Sequence, residues 1–140
     1  MMLLLSHQEQ LNGNNCVISI IYINLDMSKA TEKFNKNYTE VVKKIENNFS
    51  DLKAGEKMLI SSPKSIADYI ARIPHGTEKS VKLMRLDLAK HANADNTCPL
   101  TTGIFLRIAI EASLEQANGS KPKLPFWRVI NEKSSITKKL

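Results

Sequence analysis

Cysteine is nearly absent from this chain, with two residues, Cys16 and Cys98, in 140. Two thiols this far apart build no disulfide framework, and without a CxxC pair they offer no zinc site. A reducing, intracellular setting fits, whether cytoplasm, nucleus or nucleoid. Long hydrophobic runs are missing too. No stretch approaches the roughly 20 apolar residues of a transmembrane helix, so no membrane partner is expected. Residues 1–5 are apolar but lack the basic flank of a secretory signal. There is no Gly-rich phosphate loop. No His/Cys/Asp/Glu constellation has metal-ligand spacing. Neither a cofactor nor a metal is therefore expected.

What remains is ordinary in amount and uneven in distribution. Hydrophobic residues make up 42% of the chain, enough for a folded core. The formal net charge is +6. Residues 1–62 hold seven basic and seven acidic side chains, whereas residues 63–140 hold thirteen and seven. All the excess positive charge thus sits in the second half. Such a surface attracts polyanions, and duplex DNA is the partner it suggests. A merely solvated lysine-rich face is the alternative.

Residues 1–34 read as a leader, either poorly ordered or not native, with Met27 a second candidate initiator. The β-branched run at residues 16–23 would form one strand or none. Residues 35–62 read as an N-terminal helix and linker. Tyr38, Val41, Val42, Ile45 and Phe49 fall on one helical face, and a polar turn surrounds Gly55. Ser62-Pro63 is an N-cap followed by proline at the first helical position. The helix it opens should end at Pro74-His75-Gly76. Ser80 caps a second helix, residues 81–92, with Lys82, Arg85 and Lys90 turned to solvent. Thr101 or Thr102 caps a third, reaching Ala117 and closed by Asn118-Gly119. Its apolar face is Phe105, Ile108, Ala109 and Ala112. Residues 126–130 read as a strand that folds back on Ile136 as a small wing.

The expected fold is therefore mainly α with a small β hairpin, a winged helix-turn-helix. Its third helix would enter the major groove N-terminus first, with Thr101, Thr102, Gly103 and Arg107 facing DNA and Lys82 and Arg85 supporting. The segment between the second and third helices is about eight residues, longer than the usual 3–4-residue turn. A helical protein-interaction module is the alternative to nucleic-acid binding.

Three short stretches add a resemblance. Ile73-Pro74-His75-Gly76 resembles the Val/Ile-Pro-x-Gly that opens the DNA-binding domain of methylguanine-DNA methyltransferases. Pro125-Phe126-Trp127-Arg128-Val129 resembles their Pro-Cys-His-Arg-Val acceptor signature, at similar spacing. Residues 97–105 resemble the signature of an uncharacterised alkyltransferase-like subgroup. The resemblance covers residues 66–140 and implies a winged-helix alkyltransferase-like domain over 63–140. It implies a lesion pocket at Pro125, Phe126, Trp127 and Arg128. It also implies what is lost. The acceptor cysteine corresponds to Phe126 and its activating histidine to Trp127, and neither supplies a thiolate or a base. The nucleotide-rotating tyrosine matches about Val81, and the arginine that fills the vacated stack about Gly103. The expectation is a noncatalytic DNA-binding protein that recognises alkylated guanine. Cys98, at the start of the third helix, is the one substitute nucleophile for alkyl transfer.

Overall fold

The computed structural model describes residues 30–130. The element order is α1 (Ala30–Asn35), β1 (Val41–Lys44), β2 (Lys57–Ile60), α2 (Pro63–Ala71), α3 (Val81–His91), β3 (Asn96–Thr97) and α4 (Pro99–Ala117), followed by a 3₁₀ turn at Phe126–Arg128. The architecture is mixed α/β, with a three-stranded sheet in the order β1-β2-β3. β1 runs antiparallel to β2, with Val41 opposite Ile60, and β3 runs parallel to β2, with Leu59 opposite Thr97.

The helices begin and end where local chemistry dictates. Ser62 Oγ accepts from Ser65 N, and Pro63 stands in the first turn of α2. Ser80 Oγ accepts from Leu83 N at the head of α3. Asn118 adopts the left-handed conformation and Gly119 follows at φ 88°, which closes α4.

α4 is the spine of the molecule. Its buried residues include Phe105, Leu106, Ile108, Ala109, Ile110 and Ala112, which lie around much of its circumference. The face expected at Phe105, Ile108, Ala109 and Ala112 is correct but too narrow. A helix covered on several sides shows little amphipathic pattern. α1 and α2 pack against α4, and Ile66, Ile70, Met84 and Leu88 of α2 and α3 join its core.

Four expectations need correction. Residues 35–49 are not a helix, because Val41–Lys44 pairs with Lys57–Ile60 as a strand. The pairing satisfies those backbone groups, and tertiary context overrides a helical spacing of apolar residues. Residues 30–34 are not leader: Ala30 and Lys33 are buried in α1, and Ala30 N donates to Glu115 Oε2 at 3.0 Å. The segment between the second and third expected helices is not all loop, because it contains β3. Phe126–Arg128 is a 3₁₀ turn and not a wing strand. Val129 N and Ile130 N both return to Phe126 O at 3.0 Å, which curls the chain instead of extending it. The wing's second half at Ile136, the run at 16–23, Cys16 and Met27 lie outside the described residues.

Candidate functional site

Two of the stretches that carry the resemblance, 73–76 and 125–129, meet in space. Arg128 Nη1 donates to Ile73 O at 2.6 Å, and Lys79 N donates to Arg128 O at 2.8 Å. One arginine thus ties the last described turn to both ends of the α2–α3 loop, across 55 residues of sequence. Gly76 lies within that loop at φ 83°, a conformation that favours glycine. Charge-assisted bonds to a carbonyl are among the stronger ones, so this contact fixes the loop's position. Arg128 acts here as a structural tie.

Beside the tie lies an open cleft of about 470 Å³, with residues 78–81 on one side and 127–130 on the other. Trp127 is 40% exposed on its wall. Phe126 meets the indole at 69° with ring centroids 5.5 Å apart, and the phenyl packs against the main core. The adjacent pair therefore divides into one ring against the core and one toward solvent. Lys121 Nζ stands 5.3 Å from the centroid of the Trp127 ring. Pro125 is buried beneath the turn. Ser80 and Val81, at the head of α3, bring a helix N-terminus to the cleft, a setting that favours anions.

The expected groove face of α4 fares less well. Thr101 and Thr102 are 1% and 0% exposed, so neither reaches a ligand. Thr102 Oγ1 donates to Cys98 O at 2.6 Å within the helix's own first turn. The helix starts at Pro99, earlier than either threonine, with Cys98 as its N-cap. Arg85 is also corrected: it is 6% exposed and not solvent-facing. Its guanidinium grips Asp51 through Nη1 at 2.9 Å and Nη2 at 2.7 Å, while Nε donates to Thr97 O at 2.9 Å. Thr97 Oγ1 returns a bond to Arg85 O at 2.6 Å. The clamp joins the turn after β1, α3 and β3. The hydrogen bonds from Arg85 hold the Asp51 carboxyl below its ordinary range.

Arg107 is half-buried, and its Nε donates to Glu111 Oε1 at 2.7 Å, the i,i+4 pair. Lys82 is exposed. Gly103 is half-buried with ordinary helical backbone, and a Cβ built there meets nothing within 4 Å. Gly103→Ala is accordingly expected to raise stability by about 0.5–1 kcal/mol, because glycine in a helix interior carries an entropic cost. Urea unfolding checks it, and a destabilised variant would show that the space is not open.

Cys98 is 4% exposed and packs in a small cluster with Leu52 and Met58. Its backbone N–H donates to Leu59 O at 2.8 Å, which continues the β2–β3 ladder. The thiol is a packing group beneath the sheet, out of reach of a duplex. Among the described residues no group of three or more His, Cys, Asp or Glu gathers as a metal site, and no helix is long and apolar enough to cross a membrane.

A second open cleft, about 500 Å³, lies between α2 and α3. Tyr69 OH donates to Asp87 Oδ2 at 2.6 Å there, with Lys79 Nζ 3.9 Å from the same oxygen. Burial and then Asp87 push the Tyr69 hydroxyl well above its ordinary range. Arg72, Lys90 and His91 stand at the C-terminal ends of these helices, where cations complement the backbone dipole. Lys79 lines both clefts and was not singled out in the sequence, because no motif marks it. Set against known proteins, the chain matches no family model, no curated protein and no solved structure.

Proposed function

We propose that this chain is a noncatalytic alkyltransferase-like DNA-binding protein that takes an alkylated guanine into the Trp127 cleft without repairing it. The observation that carries the reading is the Arg128 tie. It joins the two stretches at 73–76 and 125–129 beside a cleft with a half-exposed indole on its wall. The α2–α3–α4 unit acts as the helical DNA-binding body. Trp127 offers a stacking surface, a contact that tolerates any base because every base has a π-face. The helix N-terminus at Ser80 and the exposed Lys82 face phosphate. Thr101, Thr102 and Arg85 have no place in this interface, and Phe126 and Trp127 cannot accept an alkyl group.

Fluorescence anisotropy with duplex DNA, plain and carrying methylguanine, at several salt concentrations tests the reading. The affinity should fall with salt at a log–log slope of about −0.9 per phosphate contact. The methylguanine duplex should bind more tightly. Millimolar binding without a salt slope sinks the proposal. A second reading, a protein-interaction module, has one observation in its favour: Leu83, Leu86 and Leu100 are exposed large apolar side chains. It requires that Lys82→Ala and Arg107→Ala leave DNA affinity unchanged. Alkyl transfer to Cys98 would add a methyl mass to the protein after incubation with the lesion duplex. The burial of that thiol argues that the mass stays constant.

A further inference from the structure

We infer that Lys79 is a movable phosphate contact of the Trp127 cleft, held on Asp87 until a DNA strand brings its phosphate to the head of α3. The inference rests on the nucleic-acid reading above and deepens it, naming the side chain that meets the phosphate beside the bound base. Lys79 lines both clefts. Its backbone is fixed, because Lys79 N donates to Arg128 O at 2.8 Å. Its ammonium is held far less firmly. Lys79 Nζ lies 3.9 Å from Asp87 Oδ2, beyond hydrogen-bond reach. The same oxygen accepts a 2.6 Å bond from Tyr69 OH, which takes up acceptor capacity that a close ammonium would use. The two side chains of the pair are 32% and 26% exposed. A loose pair that solvent screens in this way is worth about fivefold or less in an equilibrium constant. The flexible four-carbon stem lets the ammonium leave Asp87 while the Cα stays in place.

The other charged side chains that line the Trp127 cleft are Glu78 and Arg128. Glu78 is an anion and repels phosphate, and Arg128 Nη1 is bonded to Ile73 O. The head of α3 adds backbone N–H groups next to Lys79, since Ser80 is its N-cap and Val81 its first residue. A phosphate placed there gains charge-assisted bonds, which outweigh a screened pair 3.9 Å apart. Lys79 is therefore the lining cation whose contact can be exchanged for one to DNA.

A double-mutant cycle on the full chain tests this, read by fluorescence anisotropy with the methylguanine duplex at several salt concentrations. Lys79→Ala should flatten the log–log salt slope by about 0.9, the share of one phosphate contact. Lys79→Arg keeps the charge and should keep the slope. Asp87→Asn leaves an acceptor for Tyr69 OH and should tighten binding by up to about fivefold, because it releases the ammonium. In the Lys79→Ala background most of that gain should vanish, since no ammonium is left to release. An equal Asp87→Asn gain in both backgrounds would reflect only the loss of a negative charge and overturns the inference. If the parent binds with a salt slope that Lys79→Ala leaves unchanged, this inference alone fails. If the parent binds no duplex, the nucleic-acid reading fails with it.

Discussion

Phe105→Ala is expected to lower the unfolding free energy by about 3–5 kcal/mol, the range for emptying an aromatic site in a packed core. Phe105 is 1% exposed on α4, the helix that the other elements surround. Its ring meets Tyr38 edge-on, with centroids 5.1 Å apart and planes at 65°, and such pairs add about 0.5–1.5 kcal/mol beyond burial. A domain of this size has a total stability of about 5–15 kcal/mol, so the variant should be marginal or unfolded at 37 °C. Thermal denaturation followed by circular dichroism checks it. A loss below about 1 kcal/mol would mean that α4 is not the centre of the core.

Tyr38→Phe is the companion variant. The Tyr38 hydroxyl is buried with no hydrogen-bond partner among the described residues, and burial has pushed its pKa up to about 12. Removing an unsatisfied buried hydroxyl while keeping the ring should be neutral or stabilising. The two variants together separate ring packing from the polar group it carries.

The second large effect concerns the clamp at Arg85. Asp51→Asn should cost about 2–4 kcal/mol, because breaking a buried pair strands the remaining charge. The Arg85 side chain is only 8% exposed, whereas that of Asp51 is 38% exposed, which places the estimate below the fully buried case. Arg85 would keep Thr97 O but lose the carboxylate that neutralises it. The pH dependence has a definite sign. The folded-state pKa of Asp51 is lowered by its bonds to Arg85 from an ordinary value of 3.8. The stabilisation is therefore fully present above about pH 4 and is lost as pH falls through the lowered value. Urea unfolding of parent and variant should show a gap near neutrality that narrows in acid. A gap that persists unchanged at the most acid pH would locate the effect away from this carboxylate.

The helices were legible because their ends carry local chemistry: Ser62-Pro63, Ser80 and Asn118-Gly119 each act within a few residues. The strand at Val41–Lys44 was not. Tyr38, Val41, Val42, Ile45 and Phe49 satisfy helical spacing, and only the partner at Lys57–Ile60 reveals the pairing. Arg85 read as a surface cation because its neutralising carboxylate lies 34 residues away. The threonines at 101 and 102 read as polar, and polarity alone does not expose that they lie under the packed elements. At the site, residues 73–76 and 125–129 stood out as separate short motifs, and their meeting through Arg128 shows only in the atoms, because the contact spans 55 residues. Trp127 and Lys121 were visible as residue types, but their geometry was not.

The parallel pairing of β2 with β3 has a consequence for how the molecule opens. Asp95 N donates to Lys57 O and Cys98 N to Leu59 O, contacts that close a loop containing all of α2 and α3. Closing so long a loop costs chain entropy that the few bonds of a two-residue strand do not offset. Those bonds persist because both helices are already docked, and they cannot form early from local contacts alone. The amide protons of Asp95 and Cys98 are thus tied to the integrity of the whole domain. Their exchange with solvent should therefore report global unfolding, whereas the amides of the exposed turn at 53–56 should exchange through local opening.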